Sequence, residues 1–129
     1  MVTVEIKGGP SFQIQWFSGM NGRDALQNAY NASKNQGDFT FSLQYYGSKL
    51  GYLVDMINET YDTFISKYEP YYFWEFLING KTSQTGIDQT VLNDNDIISF
   101  QFVAYTTNTH VNTTLQTKYK LKKMAFSEN

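Results

Sequence analysis

Tyr71-Tyr-Phe-Trp-Glu-Phe-Leu-Ile-Asn-Gly80 is the most apolar stretch of this chain and ends on its clearest turn signal. Side chains alternate sides along a strand, so Tyr72, Trp74, Phe76 and Ile78 share one face while Tyr71, Phe73, Glu75 and Leu77 share the other. A strand with one wet face alternates apolar with polar residues. Here both faces are apolar, so the strand is covered on both sides or offers its second face to a ligand or partner. The even-numbered face is assigned to the core and the odd-numbered face to function. Asn79-Gly80 then closes a hairpin, because both central positions of a type I′ turn need positive φ. The return strand is expected over residues 81–85.

Upstream, Val2, Val4 and Ile6 alternate with polar neighbours, and after Gly8-Gly9-Pro10 the alternation resumes at Phe12, Ile14 and Trp16, which predicts a second hairpin. Around Asn21-Gly22 the period changes to that of a helix, with Ala25, Leu26, Ala29 and Tyr30 on one side, Asn21 as N-cap and Asp24 in the first turn. Phe39, Phe41, Leu43 and Tyr45 predict a third strand, and Gly51 opens a fourth through Tyr52, Leu53, Val54, Met56 and Ile57. Tyr61, Phe64 and Ile65 suggest a short helical turn before Pro70. Ile97, Ile98, Phe100, Phe102 and Ala104 predict a last core strand. The outline is α+β: a β-grasp-like mixed sheet with one main helix, residues 1–104, followed by a C-terminal extension, residues 105–129, that is able to add an edge strand.

The composition narrows the function. The 129 residues suit one domain, and with 41% hydrophobic and 17% charged residues the chain is too apolar for disorder and too polar for a membrane span. A net charge of −2 supplies no field for nucleic acid. The basic cluster Lys118, Lys120, Lys122 and Lys123 is confined to the extension. With no cysteine, disulfides, thiolate metal sites and cysteine nucleophiles are excluded. Residues 1–7 read as a strand and not as a signal peptide.

Five segments in order carry a resemblance. Phe12-Gln-Ile-Gln15, Gly22-Arg-Asp-Ala-Leu26, Gly51-Tyr-Leu-Val-Asp-Met-Ile-Asn58, Phe73-Trp74 with Asn79-Gly80-Lys81, and Val91-Leu92 with Asp94-Asn95-Asp96-Ile97 together resemble the C-terminal domain of transcobalamin and intrinsic factor. The resemblance covers about residues 1–104. It implies a β-grasp fold, and its bacterial version implies a secreted or cell-surface protein. In the cobalamin carriers this domain closes over a corrin held against a helical barrel, and these 129 residues encode no such barrel. The resemblance places residues 51–58 and 71–77 nearest the ligand side. The loop over residues 59–69 and everything after Tyr105 depart from the family pattern.

Catalytic chemistry finds little support. The single histidine, His110, has no serine or carboxylate at a diagnostic spacing and is read as an idle loop residue. Asn93-Asp94-Asn95-Asp96 lacks the following glycine and distant glutamate of a calcium loop and is read as a turn. Gly8-Gly9-Pro10 is a turn and not a phosphate loop. Glu75 stands out as a carboxylate amid aromatics, without a paired acid nearby. The sequence therefore points to a non-catalytic binding module with no cofactor or metal of its own. Its expected ligand residues are Tyr52, Tyr71, Phe73, Trp74, Glu75 and Leu77. The ligand is a small molecule, a corrinoid such as cobalamin by the resemblance, or a protein partner. A carbohydrate-binding module is the alternative, since Tyr and Trp platforms stack on sugars. The third reading is a structural module that oligomerises through its C-terminal extension.

Overall fold

The computed structural model describes residues 1–33, 39–63, 70–83 and 85–105. Strand β1 (Val2–Ile6) buries Val2, Val4 and Ile6 and turns into β2 (Ser11–Ile14). Ile6 N–H donates to the Pro10 carbonyl and Gly9 N–H to the Ile6 carbonyl, both at 2.9 Å, which closes the turn. β2 is shorter than the alternation suggests. Trp16 lies beyond it, and its indole N–H donates to the Leu92 carbonyl at 2.9 Å.

Helix α1 (Gly22–Ser33) begins with a reciprocal cap. Asp24 N–H donates to Asn21 Oδ1 at 2.8 Å and Asn21 N–H donates to Asp24 Oδ2 at 3.1 Å, so each satisfies a backbone donor that the first helical turn leaves open. Ala25, Leu26 and Ala29 are fully buried along the face that the sequence spacing picks out.

Next come β3 (Phe41–Tyr45), β4 (Tyr52–Ile57) and β5 (Thr60–Tyr61), then β6 (Tyr71–Ile78), β7 (Lys81–Thr82), a 3₁₀ turn at Ile87–Gln89, and β8 (Ile97–Tyr105). Five strands form one sheet in the order β2-β1-β8-β6-β7, with β1 and β8 parallel and the other neighbours antiparallel. This is the expected mixed sheet, and the α+β class holds. The expectation of a single sheet does not hold, because β3, β4 and β5 form a second sheet of their own. The reason lies in the pairing. β3 finds its partner in β4 across residues 41–57, and among the described residues no strand of the first sheet pairs with it.

Register fixes which side chains face inward. Trp74 pairs with Phe102, Phe76 with Phe100 and Ile78 with Ile98, while Val4 and Ile6 of β1 lie beside Ile98 and Phe100. The main core therefore joins Val4, Ile6, Ile98, Phe100, Trp74 and Phe76 to Leu26 of the helix and to Val54 and Ile57 of the second sheet. Phe76 and Phe100 stack at 5.3 Å between ring centroids. Each buried side chain of this size contributes on the order of 2 kcal/mol. The return strand β7 is only two residues long, against the five expected. The helical turn expected around Phe64 and Ile65, His110, the lysine cluster and the C-terminal extension lie outside the described residues.

The two sheets are brought together at the 3₁₀ turn. Tyr52 N–H donates to Asp88 Oδ1 at 2.8 Å, and Gln89 Nε2–H donates to the Ser48 carbonyl at 2.7 Å. The approach is so close that a Cβ on Gly86 would stand 2.2 Å from the Leu50 carbonyl oxygen, and one on Gly51 would stand 2.4 Å from Asp88 Oδ1. Gly86 has φ −63, which any residue adopts, so glycine is required there by space and not by conformation. Overpacking against backbone costs about 1–3 kcal/mol or more. Gly86→Ala is accordingly expected to lower unfolding stability by about 3 kcal/mol in urea denaturation, whereas Gly8→Ala, with nothing within 4 Å of its added carbon, costs only its backbone strain at φ +80.

Candidate functional site

The six expected ligand residues do not share one surface. Phe73 is 0% exposed, Tyr71 and Leu77 are buried, and Glu75 is half-buried. The odd face of β6 is thus internal. It is separate from the main core, which contains Trp74 and Phe76 but none of Tyr71, Phe73 or Leu77. Glu75 is tied down on that face, accepting from Gln101 Nε2–H at 2.6 Å and from the Thr82 hydroxyl at 3.2 Å. These bonds make it a strand-pairing carboxylate.

The even face departs from its assignment at the other extreme. Tyr72, expected in the core, is 42% exposed and stacks on Phe102 at 5.7 Å with an interplanar angle of 24°. Phe102 in turn packs on Trp74 at 5.1 Å. Beside this aromatic ladder lies a recess of about 280 Å³ lined by Ile6, Lys7, Gly8, Gly9, Ile57, Asn58, Thr60, Trp74 and Phe102. Its walls come from both sheets: the β1–β2 turn on one side and the β4–β5 turn on the other, with Trp74 and Phe102 as apolar floor. Trp74 is held in place because its indole N–H donates to the Thr60 carbonyl at 2.8 Å. A second clamp joins the same elements, with Tyr72 N–H donating to Thr63 Oγ1 at 2.7 Å and Thr63 N–H donating to the Tyr72 carbonyl at 2.8 Å.

The polar groups on the rim are few and oriented. Asn58 Oδ1 accepts from Thr40 N–H at 2.9 Å, which leaves the amide NH2 as the donor Asn58 can present to a bound molecule. Lys7 Nζ is 2.6 Å from Glu5 Oε1, and this hydrogen bond and charge hold the Glu5 carboxyl below its ordinary range. The pair neutralises the rim on that side. Asn58 and Glu59 both have positive φ, 49° and 67°, as the two-residue β4–β5 turn demands. Asparagine tolerates that region. Glutamate does not, so the rim stores strain beside the recess.

Tyr52 lies at the opposite end of β4. It is half-buried, 5.0 Å from the ring of Tyr45, which is 53% exposed, and the Arg23 guanidinium stands 4.3 Å above it in a cation–π contact. Nearby, burial and then the charges of Asp55 and Asp62 push the Tyr46 hydroxyl well above its usual range, and it donates to Asp55 Oδ1 at 3.2 Å. It acts as a donor and not as a titrating base. Among the described residues no group of three or more His, Asp or Glu side chains could hold a metal ion, and no helix is long and apolar enough to cross a membrane.

Sequence reasoning missed the recess because its walls meet only through the pairing of two sheets. The Gly8-Gly9 turn and the consecutive Asn58-Glu59 were visible, yet nothing local sets them opposite each other. The strain is testable by itself. Glu59→Gly should raise unfolding stability by about 0.5–1 kcal/mol, the relief of a left-handed glutamate less the entropy of the added glycine. A loss of stability in chemical denaturation would show that the Glu59 side chain, whose Oε1 accepts from the Thr40 hydroxyl at 3.2 Å, matters more than its backbone.

Comparison with known proteins bears on the fold. Haptocorrin, solved in complex with Cbi, matches 81% of this chain with a TM-score of 0.63 at 14% identity, and the chain spans only about 25% of the haptocorrin chain. At that identity the likeness establishes a transcobalamin-like fold. A protein of Ruminococcus gnavus ATCC 29149 to which metal binding has been attributed matches 81% of the chain and 95% of its own length, at 15% identity and a TM-score of 0.49, too low to carry an argument. No curated protein matches. The sequence pattern of DUF4430, a domain of unknown function, matches residues 20–104, which takes in the helix, the three strands of the second sheet and the strands β6 to β8. The chain belongs to the DUF4430 family.

Proposed function

We propose that this domain is a non-catalytic binding module that takes one edge of a small molecule in the recess between the β1–β2 and β4–β5 turns. The observation that carries the reading is the recess itself: an apolar floor of Trp74 and Phe102, a neutralised Lys7–Glu5 rim and one free amide donor on Asn58. Sites of this make-up, apolar with a few placed polar groups, are the usual form of small-molecule sites. The size of the recess restricts the ligand. Complete sites for such molecules run to roughly 300–1,000 Å³, so about 280 Å³ accommodates part of a large ligand and leaves the rest uncovered. The ligand class we assign is a corrinoid such as cobalamin. Support comes from the fold shared with haptocorrin, a protein solved with Cbi. A module of this kind belongs outside the cell or on its surface, where low charge and abundant Asn, Gln, Thr and Tyr are common. The proposed ligand residues are Trp74 and Phe102 with Asn58. Tyr72 extends the aromatic surface outward.

A second reading rests on a different surface. The exposed Tyr45 ring beside Tyr52 and Arg23 has the form of a platform on which a sugar ring stacks. A glycan array probed with the domain should then give signals that Tyr45→Ala abolishes, and silence on the array counts against that reading.

The corrinoid reading is tested by fluorescence. The chain has two tryptophans, and Trp16→Phe leaves Trp74 as sole reporter. Titration of this variant with cobalamin, corrected for corrin absorbance, should give saturable quenching with a Kd in the micromolar range, about −8 kcal/mol or weaker because only part of the ligand is covered. Phe102→Ala should weaken it about tenfold or more. No saturable change at high micromolar ligand overturns the reading.

A further inference from the structure

The Asn79–Gly80 turn has a chemistry that the binding reading does not use. An asparagine followed by glycine is the dipeptide in which the backbone nitrogen most readily attacks the side-chain amide, because no Cβ shields the glycine nitrogen. In this fold that asparagine is clamped. Asn79 Nδ2–H donates to Asp96 Oδ1 and Asn79 Oδ1 accepts from Ile97 N–H, both at 2.9 Å, while its backbone N–H donates to the Ile97 carbonyl at 2.7 Å. Asp96 is itself fixed, since its Oδ2 accepts from Asn93 N–H at 2.7 Å. The turn residues have φ of 50° and 82°, and the amide plane is held against the start of β8.

We infer that Asn79–Gly80 is a latent deamidation site, kept closed in the folded domain by its two side-chain hydrogen bonds to the start of β8. In the reaction the Gly80 nitrogen bonds to Asn79 Cγ, the Cγ–Nδ2 bond breaks, and ammonia leaves carrying the proton lost from the Gly80 N–H. Water then opens the succinimide at either carbonyl, giving isoaspartate or aspartate. Ring closure requires the side-chain amide to leave both partners. The product cannot restore the clamp. An aspartate at 79 presents an acceptor where Nδ2 was a donor, within hydrogen-bond distance of the Asp96 carboxylate, and the two like charges repel. Isoaspartate adds a backbone carbon to a hairpin whose return strand is only Lys81–Thr82, so the strand that positions Thr82 against Glu75 loses its register. Conversion therefore loosens the β6–β7 hairpin and the start of β8 and leaves the recess, at the other end of the sheet, in place.

The test is a time course of the whole chain in mildly alkaline buffer at body temperature, followed by peptide mapping with mass spectrometry. The folded chain should convert at least about tenfold more slowly than the same chain in urea, in keeping with two hydrogen bonds to open. Asp96→Ala, confirmed as folded by its circular dichroism, should convert several-fold faster than the parent. Asn79→Asp, which mimics the product, should melt at a lower temperature at neutral pH and recover part of the difference in acid, where one of the facing carboxylates is protonated. Equal rates for folded and urea-unfolded chain, a folded Asp96→Ala no faster than the parent, or an Asn79→Asp melting point unchanged from the parent would each overturn the inference.

Discussion

The docking of the Ile87–Gln89 turn onto the start of β4 is the constraint on which the rest of the structure depends. Among the described residues β3, β4 and β5 share no backbone ladder with the five-stranded sheet, so their position is set by packing and by a few directed bonds. At one end Asp88 and Gln89 hold Tyr52 and Ser48, with Gly86 permitting backbone to meet backbone and Gly51 leaving room for the Asp88 carboxylate. At the other end Trp74 and Thr63 tie β5 and the residues after it to β6. A side chain added in the first contact, or a donor removed from the second, would move one sheet relative to the other.

That relative placement is what creates the recess. The Gly8–Gly9 turn belongs to the first sheet and the Asn58–Glu59 turn to the second, and neither alone encloses anything. Trp74 serves both layers, since its ring packs in the core while its N–H reaches the second sheet. A strained Glu59 persists because the surrounding turn is fixed by Thr40 on both its amide and its hydroxyl. The proposed mode of binding follows from these facts. A partial recess with an apolar floor covers an edge of its ligand, and affinity is limited by what stays in water.

Much of the fold was legible in the sequence. Alternation at residues 2–6 and 71–78, the Asn21 cap with Asp24, the Asn79-Gly80 turn and the final strand all appear where local physics puts them, because each is decided within a few residues. The site was less legible. Alternation separated the two faces of β6 correctly but could not say which would meet water. Phe73 is sealed and Tyr72 exposed, the reverse of the expected roles, because burial is decided by what packs on each face and not by the strand itself. Tyr52 was grouped with β6 through the resemblance, yet it sits at the end of β4 that meets the 3₁₀ turn, far along the strand from the β4–β5 rim. Phe102 and Asn58 carried no local signal beyond a strand position and a turn position.

The central claim, that the recess binds and that Tyr52 and the odd face of β6 do not, is tested most directly by backbone and indole amide NMR of the isotope-labelled domain during titration with cobalamin. The account predicts saturable shifts confined to residues 7–9, residues 58–60, Phe102 and the Trp74 indole N–H, with Tyr45, Tyr52 and Phe73 unmoved. Shifts centred on Tyr45 and Tyr52, or none at saturating ligand, would contradict it.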